Sequence, residues 1–211
     1  IDFDTLGLED TDLPAVLDAV CVLGFDGVNV TYPFKQAIMP LLDEVSVEAR
    51  LIGAVNTVVL GSLRSGHNTD CWGFSESFRK EMAGVALDRV AVFGAGGAGS
   101  AIVTALSGLG AHKISLVDPE AERAQALAAR LAATEATRVE VAVDIEAAIR
   151  AANGVVNTTP VGMAKHPGLP LAEDLLKPRQ WVADVIYFPL ETELLTLARR
   201  LWRSTLPDCT L

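Results

Sequence analysis

The stretch "RVAVFGAGGAGSA", Arg89 to Ala101, decides how the chain is read. An apolar, β-rich run stops at Gly94, three glycines follow in the spacing Gly94-x-Gly96-x-x-Gly99, and a helical pattern of small residues begins at once. A lone glycine pattern says little, whereas strand, glycines and helix in that order form a dinucleotide-binding fingerprint. Gly94 allows the tight turn, Gly96 lets backbone approach a pyrophosphate, and Gly99 lets helix and strand pack closely. The helix N-terminus then offers unpaired N–H groups to phosphates. The turn as a whole, Gly94, Ala95, Gly96, Gly97, Ala98 and Gly99, is the expected phosphate cradle. The plainer alternative is a packing turn of an ordinary α/β domain.

The segments downstream favour the cradle. "KISLVD", "PEAERAQALAARLA", "RVEVAV", "IEAAIRAA", "GVVNTTP" and "WVADVIY" alternate β-rich runs with alanine-rich helices. That alternation implies a parallel sheet with helices on both faces. Asp118 ends its strand where such folds place the acid that accepts the adenosine ribose hydroxyls. A 2′-phosphate would be repelled there and would want an arginine, yet Pro119 and Glu120 follow, and Arg123 is the nearby cation, one turn into the helix. The expectation is NAD over NADP. Asp118 before Pro119 also reads as a helix N-cap, and both roles can coexist.

Upstream, "DLPAVLDAVCVLG" has helical spacing between the capping candidates Thr11 and Asp12 and a stop at Gly24. "DGVNVT" reads as a strand, Pro33 as the opening of a helix "PFKQAIMPLLDEV", and "AVNTVVL" with "LRSGHNTD" as a hairpin around Gly61-Ser62. "CWGFSESFRKEM" reads as a connecting helix. The expected organisation is two α/β domains: residues 1–84 for substrate, residues 85–188 as a Rossmann-type, doubly wound dinucleotide-binding domain. Residues 189–211 are expected to return towards the first domain as a helix. Gly73 and Pro189, where the chain crosses between them, are candidate hinges.

Composition narrows the function. The chain has 211 residues, half of them apolar, with a formal net charge of −10. The length suffices for a large core without staples. Charged residues interrupt every apolar run before membrane-spanning length, so a soluble, cytoplasmic protein is expected. The negative charge disfavours nucleic acid and anionic membrane, leaving a small molecule as partner. Cys21, Cys71 and Cys209 are odd in number and lack CxxC spacing, which argues against disulfides and a metal site. "IDFDTLG" reads as a strand already under way, and native sequence is expected to be missing at both ends.

Three polar segments lie where apolar strands end: "NVTYPFK" (29–35), "GAVNT" (53–57) and "GHNTDCWGF" (66–74). Singly, Asn29 and Asn68 are turn formers, Thr31 and Asp70 helix caps, and Lys35 a solvated lysine. Together they suggest hydride transfer from an alcohol, which also needs a group to take the hydroxyl proton. Lys35 can do so, with Asp70 orienting it.

These segments, with "GAGGAG", "VVNTTPVGM" and "DVIYFPLETELL", resemble the shikimate dehydrogenases nearly end to end. The resemblance implies a two-domain enzyme that reversibly oxidises a ring hydroxyl of shikimate with a nicotinamide cofactor. It implies that Lys35 is the catalytic lysine and Asp70 its partner, and that Thr31, Asn56 and Tyr187 bind substrate, with Asn29 beside them. Asn157, Thr158 and Thr159 then edge the cofactor, Met163 and Val185 lie near the nicotinamide, and Arg123 joins the cofactor residues. Asp118-Pro119 replaces the Asn-Arg pair of the NADP-using members, so the chain looks like the NAD-using quinate/shikimate dehydrogenases. Aminoshikimate dehydrogenases are similar, and a non-catalytic sensor on the same fold ranks below. The family's carboxylate-binding loop precedes Ile1, and its glutamine-bearing helix follows Leu211. Monomer and homodimer both remain open.

Overall fold

Leu13, Leu17 and Val20 recur at helical spacing, and all three are buried along helix α1, Leu13–Val22. Its end is set by Gly24 at a φ of 77°. The Gly24 amide donates to the Cys21 carbonyl (3.0 Å) and the Phe25 amide to that of Val20 (3.2 Å), a Schellman closure. Asp12 occupies the N-cap position, although its side chain bonds no helix amide. The structure, a computed structural model, describes residues 10–132, 137–201 and 205–206. The expected opening strand at "IDFDTLG" and Cys209 lie outside them.

The strand expected at "DGVNVT" forms as Gly27–Asn29 (β1). The helix expected from Pro33 does not form. Residues 32–38 make successive turns, followed by a 3-10 turn at Met39–Leu41, a strand at Glu44–Val45 (β2) and a helix at Val47–Ile52 (α2). The Lys35 carbonyl, which a helix would offer to the Met39 amide, accepts from the Val55 amide at 2.8 Å, while Met39 bonds to Gln36 at 3.2 Å. Pro40 has no amide proton with which to continue a ladder. Helix α2 has no counterpart among the expected elements, although residues suited to both its ends stand in the sequence. The Ser46 hydroxyl accepts from the Ala49 amide (3.1 Å), and Gly53 closes it.

Thr57–Leu60 (β3) and Arg64–His67 (β4) form the expected hairpin, with Thr57 opposite His67 and Leu60 opposite Arg64. The first sheet has the order β1-β3-β4-β2, antiparallel except for the β2–β4 pair. Leu17, Val20, Val30, Ile38, Val55 and Val58 form its core.

The chain divides into two compact units, Ile1–Thr69 and Asp70–Leu211. Helix α3, Asp70–Glu81, therefore belongs to the second unit, earlier in the chain than the boundary expected near Gly84. Its contacts lie in that unit: the Phe78 ring meets that of Trp181 edge-on at 5.0 Å, and just past the helix the Ala86 carbonyl accepts from the Trp181 indole N–H at 2.9 Å.

In the second unit the βα alternation is realised as Arg89–Phe93 (β5), Gly97–Gly108 (α4), Lys113–Val117 (β6), Ala121–Leu131 (α5), Arg138–Val141 (β7), Ile145–Ala151 (α6) and Gly154–Asn157 (β8). Trp181–Asp184 (β9), Glu193–Arg200 (α7) and Thr205–Leu206 (β10) complete it. The sheet order is β10-β9-β8-β5-β6-β7, all parallel. This is the dinucleotide-binding order, with the chain reversing direction between β5 and β8. In a sheet of this order, crossovers of the usual right hand run both ways from that point and put helices on both faces. The helix expected to return towards the first domain, α7, buries Leu194, Leu195, Leu197 and Ala198 in this unit's own core with Val155 and Val182.

Candidate active site

Strand register lines up the residues of the second unit that were expected to meet a cofactor. Phe93 pairs with Val117 on one side and Asn157 on the other, and Asn157 pairs with Asp184. The residues that follow these strand ends, Asp118, Gly94, Thr158 and Val185, therefore share the carboxyl edge of the sheet around its switch point. Open α/β sheets bind ligands at that edge.

The three glycines of the turn differ in conformation and in surroundings. Gly94 has a φ of 96°. A Cβ on Gly99 would stand 2.1 Å from the Gly94 carbonyl oxygen, so only glycine lets α4 approach the turn. A Cβ on Gly96 would meet nothing within 4 Å. The first bond of α4 runs from the Ser100 amide to the Gly96 carbonyl (2.9 Å), so the Gly97, Ala98 and Gly99 amides have no partner within the helix. Open space at Gly96 and amides at a helix start fit a pyrophosphate.

Asp118 is tied to this turn. Its side chain is 2% exposed. One carboxylate oxygen accepts from the Ala95 amide (2.7 Å) and the other from the Glu120 amide (2.8 Å). The N-cap position of α5 belongs to Glu120, so the carboxylate of Asp118 braces the cradle and is not the helix cap. Arg123 places one guanidinium nitrogen 3.8 Å from Asp118 and donates from the other to Glu120.

Asn157, Thr158 and Thr159 hold the edge of the site in shape. The buried Asn157 amide donates to the Val161 carbonyl (2.9 Å) and to Asp184 (3.1 Å). Its oxygen accepts from the Thr159 amide (3.1 Å) and hydroxyl (2.7 Å). That uses the capacity of the side chain. The Thr158 hydroxyl reaches both the Phe93 (2.7 Å) and Gly94 (3.0 Å) carbonyls, latching the loop to the glycine turn. Met163 is half-buried in the loop beyond, bridged to His166, and the half-buried Val185 donates its amide to the Asn157 carbonyl at 3.1 Å. Tyr187 is exposed just past β9.

Asp184 and Thr192, which sequence reasoning passed over, complete this network. The Thr192 hydroxyl donates to Asp184 (2.7 Å) and accepts from the Leu195 amide (3.3 Å), capping α7. Burial pushes the Asp184 carboxyl up to about 6, against hydrogen bonds from Thr192, Ile186 and Asn157 that favour its charge. A charged residue inside an otherwise apolar strand, "WVADVIY", was the available signal.

In the first unit Asn29 ends β1 and is exposed, as is Thr31, which accepts from the Phe34 amide through its carbonyl at 2.9 Å. Lys35 is half-buried and sits in the turn pinned by Val55. The Asn56 amide donates to the Thr69 hydroxyl (2.9 Å), and its oxygen accepts from the Thr69 amide (2.9 Å) and the Thr57 hydroxyl (3.0 Å). Asn68 donates to the Ala54 carbonyl at 3.0 Å. Asn56 thus fixes Thr69, the residue before Asp70. Asp70 opens α3 and is 1% exposed.

Residues 2–58 match the shikimate dehydrogenase substrate binding domain. The quinate/shikimate dehydrogenase (NAD(+)) of Corynebacterium glutamicum is 46% identical over 210 residues, spanning 96% of this chain and 74% of that protein. The chain belongs to the shikimate dehydrogenase family. The shikimate dehydrogenase (NADP(+)) of Pseudarthrobacter chlorophenolicus is also 46% identical, over 94% of this chain and 69% of its own. Among solved structures, quinate dehydrogenase from C. glutamicum in complex with NAD superposes with a TM-score of 0.81 at 46% identity, covering 93% of this chain and 71% of that one. Family members named for NAD and for NADP thus match equally well. The cofactor of this chain must be read from its own residues.

Proposed function

We propose that this protein is an NAD-dependent dehydrogenase that reversibly oxidises a ring hydroxyl of shikimate, giving 3-dehydroshikimate, or of quinate, giving 3-dehydroquinate. The observation that carries the cofactor is the buried Asp118 carboxylate, braced by Ala95 at the edge of an open glycine cradle. The turn from Gly94 to Gly99 would hold the pyrophosphate, and Asp118 the adenosine ribose hydroxyls. Bound NAD supplies the hydride acceptor. Lys35 takes the proton of the reacting hydroxyl, and Asp70 orients it. Asn29, Thr31, Asn56 and Tyr187 bind the substrate's hydroxyls and carboxylate, and Met163 and Val185 flank the nicotinamide. A cytoplasmic location and a small-molecule partner belong to the same reading.

A second reading, NADP use, has in its favour the NADP(+)-named relative at 46% identity. Against it stands a carboxylate where a 2′-phosphate would lie. Absorbance at 340 nm with shikimate, quinate and their amino analogues, each with NAD and NADP, tests both. NADH formation from shikimate or quinate, with much slower NADPH formation, is expected. Equal or better efficiency with NADP defeats the NAD reading, and no turnover of any polyol with either cofactor defeats the enzyme.

A further inference from the structure

We propose that Glu120 is a second determinant of cofactor choice, acting by occupying Arg123 and so denying a 2′-phosphorylated cofactor the cation paired with Asp118. The inference deepens the reading that this edge of the sheet binds NAD, and it rests on that reading.

Glu120 is fixed from both sides. Its amide donates to the Asp118 carboxylate at 2.8 Å, and its carbonyl accepts from the Arg123 (3.0 Å) and Ala124 (3.3 Å) amides. Its carboxylate is thereby delivered to the Arg123 guanidinium, one turn on. The same guanidinium lies 3.8 Å from Asp118. One cation is shared between two carboxylates, one buried and one 64% exposed, which leaves the group with a net negative charge.

A phosphomonoester on the ribose would bring about −1.5 to −2 further charges into this group. It would need the planar fork of an arginine, and that fork is already engaged. The two carboxylates differ in what they offer NAD. Asp118 adjoins the cradle and can accept ribose hydroxyls, whereas Glu120 points its charge at Arg123. Loss of Glu120 should therefore relax discrimination against NADP while costing NAD binding little. Loss of Asp118 should cost both.

The test is calorimetric binding of NAD and NADP to the wild type, Glu120→Gln and Glu120→Gln/Arg123→Gln, at low ionic strength and without substrate, with kcat/KM as a parallel readout. Glu120→Gln is expected to tighten NADP binding by about three- to fivefold, the size of an exposed ion pair, and to leave NAD within about twofold. The double variant is expected to lose the gain. NADP affinity unchanged in Glu120→Gln, or a gain that survives removal of Arg123, overturns the proposal while leaving NAD preference standing. A wild type that binds NADP as tightly as NAD overturns both.

Discussion

A Cβ placed on Gly99 would stand 2.1 Å from the Gly94 carbonyl oxygen, whereas one placed on Gly96 meets nothing within 4 Å. Gly99→Ala must push α4 away from β5, and we expect it to lower stability by about 1–3 kcal/mol and to abolish NAD binding. Gly96→Ala should shift the urea midpoint much less and still weaken NAD binding more than tenfold, because its methyl group enters the open space proposed for the pyrophosphate. Urea unfolding and an NAD titration of both variants separate these outcomes. Lys35 allows a similar separation. Its backbone carbonyl accepts from the Val55 amide at 2.8 Å, a bond that Lys35→Ala retains. Turnover should fall by about 10²–10⁴ with NAD affinity nearly unchanged, as for loss of a general base. Turnover within a few-fold of wild type would remove Lys35 from proton transfer.

The ends of β8 and β9 and the start of α7 are joined through Asp184, whose buried carboxylate holds Asn157 and Thr192. Because burial raises its folded-state pKa to about 6 from an ordinary carboxyl value, the folded protein binds the proton more tightly than the unfolded chain does. Its contribution to stability is therefore greatest at acid pH and is lost as pH rises through about 6, an effect on the order of 3 kcal/mol. Asp184→Asn removes that slope. The stability difference between wild type and variant, from urea curves at pH 5 and 7, should shrink towards pH 7, and a constant difference would mean that Asp184 does not titrate there. This network was hidden in the sequence because its partners are far apart along the chain, while each residue alone looks like a turn former or cap. The βα alternation was legible, since period and glycine placement are local signals. The segment after Pro33 departs from its expected helix for the opposite reason. Its helical pattern is real, but a long-range bond from Val55 and the missing amide of Pro40 override it.

The chain's two units have separate cores, one around Leu17, Val30 and Val58 and the other around Val155, Val182 and Leu195. The residues assigned to the cofactor all lie in the second unit, and those assigned to substrate, Tyr187 apart, lie in the first. A ligand that binds only the folded form of one unit stabilises that unit by mass action. NAD alone, at about 100 times its Kd, should therefore slow by about 100-fold the exchange of amides that open only when the second unit opens. Those in β5, β6 and β8 are the expected reporters, with the local amides of Gly97 to Gly99 protected directly. Amides of β1, β3 and β4 should change little, because nothing assigned to NAD belongs to their sheet. Shikimate or quinate added after NAD should then protect Val55, Asn56 and Thr69, whose amides sit at the bonds that fix the polar segments. Hydrogen exchange read by mass spectrometry distinguishes this stepwise pattern from its alternative. Equal protection of both sheets by NAD alone would show that the cofactor orders the substrate unit too, and the division of labour by unit would have to be given up.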